Sequence, residues 1–319
     1  MKLGIVGNGG IVLNALDSLK DTDIKVSSLW CRNERKGKPI VETYHIEHFY
    51  TDYESFLKDD SYDTVYIGLI NSLHYEYAKK AIVAHKHVIV EKPFTVTLQE
   101  ALELQRLSKE NHVYVFEAIM SRYNKNYENI KEHLNDIGNI KVVNCNYSQY
   151  SRRYDAYKNG EVLPAFDPKL AGGALYDINV YNIHFVVGLF GKPNHITYNA
   201  NIGFNGVDTS GVLVMVYDDF VVVCTGAKDS ASHNGIMIQG DAATIIMDNR
   251  PGIIKNVVLE KHDGNKQSLD IVDVENPMKD EFLKIQEVIE QNGETTMDMW
   301  LNQSVIVMSM IDEAINQIH

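Results

Sequence analysis

The segment His87–Phe94 joins a short apolar run to a charged pair and a proline. The residues Val88–Val90 favour a β-strand, and Pro93 ends it because proline has no backbone N–H to give to a central strand. Glu91 and Lys92 are therefore predicted at the carboxyl end of a strand, which in an open α/β sheet borders the ligand crevice. A lysine there can polarise a carbonyl or transfer a proton. The alternative is a charge that only keeps a strand end soluble.

A second set of chemical groups follows Gly172 and Gly173. If a helix begins here, Asp177, Tyr181 and His184 fall at positions i, i+4 and i+7 and share one face. An acid, a phenol and an imidazole aligned in this way can form a proton-transfer set. The alternative is that Asp177 is a first-turn acid favoured by the helix dipole and that both rings lie in the core.

The chain begins with a strand, a glycine-rich turn and a helix. Gly7 is predicted to make the tight turn after the apolar run Lys2–Val6, and Gly9 to let the backbone approach a pyrophosphate at the helix N-terminus. Val12 occupies the position of the third fingerprint glycine and is expected to push the helix slightly outward. The alternative is an ordinary glycine turn. The loop residues predicted to contact a dinucleotide are Gly7, Asn8, Gly9, Gly10 and Ile11.

The elements that position these groups change in character along the chain. Strands and helices alternate as far as residue 118, which predicts βαβ units and a parallel sheet, whereas from about Asn139 strand-like runs follow one another. We therefore predict an α/β protein with a dinucleotide-binding Rossmann domain at 1–118. A substrate-binding and oligomerisation domain at 119–319 should hold a large, mostly antiparallel open sheet. The strand candidates are Leu3–Val6, Ile24–Trp30, Thr64–Leu69, Val88–Val90 and His112–Phe116, then Ile140–Tyr147, His195–Phe204, Gly211–Tyr217, Phe220–Thr225, Gly235–Gln239, Ala243–Met247, Ile253–Leu259 and Ser268–Val274.

The end of the second strand bears on the choice of cofactor. Ile24–Trp30 runs into Cys31 and Arg32, with Arg35 and Lys36 close behind. An arginine at this place can stack on adenine and pair with a 2′-phosphate, which predicts NADP(H) as the preferred cofactor. NAD(H) stays open if Glu34 turns inward toward the ribose hydroxyls. The alternative for the whole segment is a solvated basic loop.

Composition excludes several classes of protein. The 319-residue chain has 30 basic and 43 acidic residues, and its net charge of −13 argues against a nucleic-acid or anionic-membrane partner. Three cysteines show no CxxC spacing, so neither a disulfide framework nor a metal site is expected. The sequence has no apolar run of membrane-spanning length and no signal-peptide pattern, and we expect a cytoplasmic protein.

Taken together, the motifs resemble those of the glucose–fructose oxidoreductase/inositol dehydrogenase (Gfo/Idh/MocA) family over essentially the whole chain. The matching segments are GNGGIV at 7–12, Asn71–His74, Glu91–Pro93, Glu117 and Ala118 with Arg122, and GGALYDINVYNIH at 172–184. The resemblance implies oxidation of sugars, polyols or related alcohols with NAD(P), or the reverse reduction. It also implies a sugar- or polyol-like small-molecule substrate and a homodimer or homotetramer formed through the carboxyl-terminal sheet.

The resemblance also suggests roles for individual residues. Lys92 matches the family's catalytic lysine and Asp177 its motif aspartate. Tyr181 stands where inositol dehydrogenase-like members have histidine and dimeric dihydrodiol dehydrogenase-like members have tyrosine, and the latter are the nearer match. Tyr181 is then the expected acid/base, with Lys92 lowering its pKa and holding the substrate oxygen; Lys92 acting directly is the alternative, and His184 joins the relay or stays in the core. The residues expected at the cofactor, besides the glycine loop, are Cys31, Arg32, Asn71, His74, Glu91, Lys92 and Arg122.

Three departures from the family pattern leave other functions open. Leu69 and Ile70 replace the usual Thr-Pro pair, Val12 replaces a small residue, and Asn179 stands where glycine is usual. None removes a proton-transfer group, so we interpret them as tuning. A cofactor-binding sensor without turnover and a redox-assisted glycoside hydrolase stay as alternatives. A loop over the substrate is a further hypothesis, with Arg152, Arg153 and the tyrosines Tyr147, Tyr150, Tyr154 and Tyr157.

Overall fold

The computed structural model describes residues 1–318 and divides into two compact units. The first comprises Met1–Ala118 together with Met278–Val305, and the second comprises Ile119–Pro277 together with the residues from Ile306 onward. Among residues 1–318, no helix is both long and apolar enough to cross a lipid bilayer.

The first unit is built on a six-stranded sheet in which every pairing is parallel, with the strand order β3-β2-β1-β4-β5-β6. The predicted doubly wound sheet is therefore confirmed. The central strands are buried along nearly their whole length, as expected for a parallel sheet covered on both faces. The strands are β1 (Lys2–Val6), β2 (Lys25–Trp30), β3 (His48–Tyr50), β4 (Thr64–Ile67), β5 (His87–Glu91) and β6 (Val115–Ala118).

Five helices connect these strands: α1 (Gly10–Leu19), α2 (Glu34–Tyr44), α3 (Tyr53–Leu57), α4 (His74–Val83) and α5 (Leu98–Asn111). Local signals determine both ends of helix α5. Thr97 and Glu100 form a capping box at its start. His112 adopts the left-handed conformation at its end, so the predicted strand from His112 begins only at Val115.

The second unit contains an eight-stranded sheet with the order β14-β13-β12-β11-β7-β10-β9-β8. Only β7 and β10 pair in parallel, which confirms the predicted mostly antiparallel sheet. Its elements are α6 (Lys125–Glu132), β7 (Ile140–Ser148), α7 (Tyr154–Lys158), α8 (Val180–Phe190), β8 (His195–Ile202), β9 (Asp208–Val216), β10 (Val221–Ala227), β11 (Gly235–Gly240), β12 (Ala243–Met247), β13 (Val257–Lys261) and β14 (Lys266–Ser268).

The strand predicted over Ser268–Val274 is absent, and β14 ends at Ser268. The Asn126 side chain explains the difference. Its oxygen accepts from the backbone N–H groups of Ile271 and Val272 at 2.8 and 3.0 Å, and its amide donates to the Val272 carbonyl at 3.0 Å. These backbone groups are thus satisfied by a side chain instead of a neighbouring strand.

The last two helices, α9 (Pro277–Glu290) and α10 (Glu294–Asn316), alter the expected domain boundary. The sequence pattern assigned all of 119–319 to the second domain, whereas the structure groups Met278–Val305 with the first unit. Aromatic contacts give the reason. Phe282 packs on Tyr66 with ring centroids 5.3 Å apart, and Trp300 packs on Phe116 at 6.3 Å.

Candidate active site

The glycine turn between β1 and α1 has the geometry that its sequence suggests. Gly7 has φ of +121°, and a Cβ there would lie 2.5 Å from the Gly68 carbonyl oxygen, so only glycine fits. A Cβ on Gly9 or Gly10 would meet no atom within 4 Å. Packing of the protein itself therefore does not require these two glycines, which border open space at the N-terminus of α1, where backbone N–H groups favour an anion.

Val12, at the place of the third fingerprint glycine, is fully buried. The space for its side chain is provided by Gly68, because a Cβ on Gly68 would lie only 2.7 Å from Val12 Cγ2. The helix and the sheet thus pack closely at this point because the glycine of the contact is Gly68, which follows β4, instead of residue 12 in the helix.

A cleft of about 800 Å³ opens where β2 ends. Its lining joins the glycine turn to the basic segment: Gly7, Asn8, Trp30, Cys31, Arg32, Asn33, Glu34, Arg35, Lys36 and Leu69. Glu34 borders this cleft, but its carboxylate pairs with Lys38 at 2.8 Å on the helix surface. Three cationic side chains therefore face the region in which a nucleotide ribose is expected.

Lys92 follows directly on β5, which ends at Glu91 as predicted. Two buried side chains hold the backbone of the turn after Lys92. The Pro93 carbonyl lies 2.8 Å from His74 Nδ1, and the Phe94 N–H donates to Glu117 Oε1 at 2.9 Å. Lys92 itself is half-buried. The turn is therefore fixed from the interior while its lysine reaches the surface.

His74 and Glu91 are both placed inside the first unit. Burial lowers the pKa of His74, so its ring is neutral with a single N–H. We assign that hydrogen to Nδ1, which makes the shorter contact, to Pro93; Nε2 lies 3.2 Å from the Leu69 carbonyl. Burial raises the pKa of Glu91 to about 7, and the Tyr66 hydroxyl donates to its carboxyl at 2.7 Å. Because His74 is fully buried, its geometry favours positioning of the turn over contact with a cofactor.

Asn71 lies in a single 3₁₀ turn, Asn71–Leu73, directly before α4. It is half-buried and follows Ile70, which is 40% exposed. The Leu-Ile pair that departs from the family pattern therefore forms part of the rim at the end of β4.

In the second unit, the turn before the acid–phenol–imidazole set is built around Asp208. Gly173 has φ of +116°, and a Cβ there would collide with the Asp208 carboxylate. That carboxylate accepts from the Leu175 N–H and the Tyr198 hydroxyl, both at 2.7 Å. Burial raises the pKa of Asp208 to about 6. Glycine is thus required for the chain to approach this acid.

The helix starts differently from the prediction. Leu175–Asn179 forms a π-helical turn, and the α-helix α8 begins only at Val180. The three groups also differ in exposure: Asp177 and Tyr181 are half-buried, whereas His184 is 1% exposed. The residue Asn179, which replaces the usual glycine, is fully buried and donates to the Cys224 carbonyl at 3.1 Å. A Cβ on Gly226 would lie 2.7 Å from Asn179 Cβ, so a strand glycine accommodates the asparagine.

Asp177 is paired with a lysine that the motif does not contain. Lys228 Nζ lies 2.8 Å from Asp177 Oδ2, with the lysine side chain 2% exposed and the aspartate side chain 36% exposed. Lys228 also donates to the Ala165 carbonyl at 2.6 Å and lies over the Phe166 ring. Sequence reasoning missed Lys228 because it stands 51 positions after Asp177 with no local pattern around it, just past the end of β10.

Tyr181 and His184 have different surroundings. The Tyr181 ring meets the Tyr147 ring edge to face, with centroids 5.7 Å apart. Arg122 Nη2 lies 3.2 Å from His184 Nδ1. Since arginine only donates, Nδ1 accepts and the ring hydrogen is on Nε2. Arg122, expected at the cofactor, is 6% exposed and contacts His184 inside the second unit.

The hypothetical tyrosine loop over the substrate is not uniform. Tyr157 belongs to a buried cluster with Phe166 and Val207, because its ring stacks on Phe166 at 4.9 Å. Tyr150 is 39% exposed. The expectation for Tyr157 therefore needs correction, since this ring packs in the core.

The parallel sheet and the glycine turn are typical of a nucleotide-binding domain. Residues 1–119 match the model of the oxidoreductase family with an NAD-binding Rossmann fold, and residues 128–246 match the GFO/IDH/MocA carboxyl-terminal domain. The chain belongs to the GFO/IDH/MocA family, as its motifs indicated, and is an NAD(P)-dependent oxidoreductase.

Individual relatives extend this comparison. The chain is 31% identical to scyllo-inositol 2-dehydrogenase (NADP(+)) of Bacillus subtilis, over 99% of its own length and 97% of the relative's. It is 29% identical to trans-1,2-dihydrobenzene-1,2-diol dehydrogenase of Xenopus tropicalis, over 67% of this chain and 63% of that protein. A 3-ketoreductase of Actinomadura kijaniata, solved with NADP and TDP-benzene, shares the fold with a TM-score of 0.85 at 20% identity, covering 98% of this chain and 96% of that chain.

Proposed function

We propose that the protein transfers a hydride between NADP(H) and a sugar or polyol, or the corresponding ketone. The observation that carries the proposal is the fixed placement of Lys92 at the carboxyl end of β5, in a unit with a dinucleotide-type glycine turn. The 31% identity to an inositol dehydrogenase supports a polyol-like substrate.

The cofactor, when bound, supplies or accepts the hydride at its nicotinamide ring; the remaining steps belong to the chain. We assign to Tyr181 the exchange of the substrate's hydroxyl proton, and to Lys92 the polarisation of a substrate oxygen. Asp177, which pairs with Lys228, orients a neighbouring hydroxyl. His184 lies in the core, where its Nδ1 accepts from Arg122, and we assign to it a supporting role beside Tyr181.

The preference for NADP(H) rests on the cleft at the end of β2. Arg32, Arg35 and Lys36 line it, and the nearby Glu34 is paired with Lys38. A guanidinium can bind a 2′-phosphate through two parallel hydrogen bonds. An NADP(+)-dependent relative supports the same choice.

The test is a screen of sugars and polyols with both nicotinamides, following the absorbance of the reduced cofactor. We expect turnover with NADP(H), and Arg32→Ala should weaken NADPH binding by about 10- to 100-fold, the scale of a lost charged hydrogen bond. NADH binding should change little, and Lys20→Ala, which removes an exposed cation of the same unit, is the matched control. Tighter binding of NADH by the unmodified protein would contradict the cofactor assignment. Cofactor binding without turnover of any substrate in the screen would favour a sensor.

We also propose that the eight-stranded sheet forms a homodimer or homotetramer interface. One face of this sheet exposes apolar side chains, among them Val216, Val221 and Met237. Light scattering would test this, and a monomer at micromolar concentration would contradict it. A cytoplasmic location is supported by three buried free thiols, which are typical of reducing compartments.

A further inference from the structure

Arg250 lies beside the proposed acid/base in a segment that sequence reasoning did not single out. The segment joins β12 to β13, and a Cβ on its Gly252 would lie 3.3 Å from the Tyr181 ring. Arg250 Nη1 donates to the Tyr147 hydroxyl at 3.5 Å, and the Tyr147 ring packs against Tyr181. A guanidinium is therefore placed one aromatic ring away from Tyr181.

The electrostatic surroundings of Arg250 favour an anion. The chain has a net charge of −13, and many of its cations, such as Lys79 and Lys228, have an acidic partner close by. Within residues 1–318, the side-chain contact of Arg250 is the long bond to Tyr147, and no carboxylate lies within ion-pair distance of its guanidinium. The side chain is also half-buried, so it has lost part of its hydration. A half-buried cation in this state gains most from an anionic group.

We propose that Arg250, held by the Tyr147 hydroxyl, binds an anionic group of the substrate, so that the preferred substrates are acidic sugars or polyols bearing a carboxylate or a phosphate. The guanidinium fork fits either group through two parallel hydrogen bonds. The Tyr147 hydroxyl accepts from Arg250 and donates to Gln149 Oε1 at 3.3 Å, so Tyr147 positions the guanidinium beside the Tyr181 ring. Arg250 is thus a specificity residue, and this inference rests on the proposed function of Tyr181.

The experiment compares each acid with its neutral counterpart: D-gluconate with D-sorbitol, D-glucuronate with D-glucose, and D-glucose 6-phosphate with D-glucose. Binding is measured by calorimetry on protein saturated with NADPH, and kcat and KM are measured for each compound that turns over. Arg250→Met keeps the length of the side chain without its charge, Arg250→Lys keeps the charge without the fork, and Lys261→Met removes an exposed cation of the same unit as the control.

We expect the unmodified protein to bind one class of acid about 10- to 100-fold more tightly than its neutral counterpart, the scale of charged hydrogen bonds. Arg250→Met should abolish the difference because it raises KM for the acid, whereas kcat for the neutral compound should change little. Arg250→Lys should restore part of the difference, and Lys261→Met should retain it. Gluconate and glucuronate test for recognition of a carboxylate, and glucose 6-phosphate tests for recognition of a phosphate. Equal binding of acids and neutral compounds, or an acid preference that survives in Arg250→Met, would overturn the inference while leaving the proposed function intact. Arg250-dependent binding without any turnover would support the inference and contradict the proposed function.

Discussion

The turns that carry Lys92 and Asp177 are held in different ways. The Lys92 turn is fixed through its backbone by His74 and Glu117. Asp177 is fixed through its own carboxylate by the buried Lys228. The contacts that His74 and Glu117 make with the backbone position Lys92 without touching its ammonium group. The contact with Lys228 positions Asp177 and also pairs its charge. Substitutions around Lys92 should therefore change geometry, and substitutions around Asp177 should change ionisation as well.

The largest effect should follow from Lys92→Met, which keeps the stem of the side chain but removes its charge and donors. Turnover should fall by roughly 10²–10⁴, the scale of a lost acid/base group, while NADPH binding largely survives. Steady-state kinetics and fluorescence titration measure the two quantities. Lys80→Met, on the exposed surface of α4, is the control. Near-normal turnover in folded Lys92→Met would end the catalytic assignment.

The second prediction separates Tyr181 from His184. Tyr181→Phe removes a hydroxyl with little change in volume and should lower kcat by about 10²–10³. His184→Asn should cost about tenfold or less, because an amide oxygen can still accept from Arg122. If kcat fell further in His184→Asn while its thermal melt stayed normal, the acid/base role would move to His184.

The third prediction concerns the ion pair. Lys228→Met leaves Asp177 without its buried partner and should lower the free energy of unfolding by roughly 3 kcal/mol, the lower end for a broken pair because Asp177 is partly exposed. In an Asp177→Asn background the same change should cost less. Urea denaturation of the four proteins gives the coupling energy. Equal costs in both backgrounds would show that Lys228 stabilises the fold through contacts other than Asp177, such as those with the Ala165 carbonyl and the Phe166 ring.

The smallest effect should be a pH dependence linked to Glu91, whose pKa burial raises from 4.5 to about 7. The folded protein then binds the proton more tightly than the unfolded chain, so this contribution to stability is complete below pH 4.5 and is lost as pH rises toward 7. Relative to Glu91→Gln, which mimics the protonated group, the unmodified protein should lose about 2 kcal/mol between pH 5 and pH 7. If the free energies of unfolding of the two proteins changed equally between pH 5 and pH 7, Glu91 would not titrate in this range.

Local patterns predicted the ends of several elements. Pro93 placed the end of β5, and Thr97 with Glu100 placed the start of α5. Helix α2 escaped prediction because it contains Pro39 and buries few residues, so its apolar period is faint. Helix α9 has an apolar face that includes Phe282 and Ile285, but such a face does not show which sheet it covers.

The candidate site likewise contains residues that a local pattern predicts and residues that it does not. Lys92, Asp177 and Tyr181 belong to contiguous motifs and were found from the sequence. Lys228 and Arg250 were missed because each contacts a partner far away in the sequence and carries no spacing of its own. The π-helical turn was also missed, since the i, i+4, i+7 pattern assumes a regular α-helix from the first residue.

The contacts of Val12 with Gly68 and of Asn179 with Gly226 impose an order on any mutational route between this chain and one with the usual glycine pattern. A side chain added at position 12 or 179 while the opposing residue still carries a Cβ would pass through an overpacked intermediate. If the opposing residue first becomes glycine, the intermediate has a small void instead and can remain folded. In any relative that has a side chain at position 68 or 226, that residue therefore has to become glycine before position 12 or 179 gains its side chain.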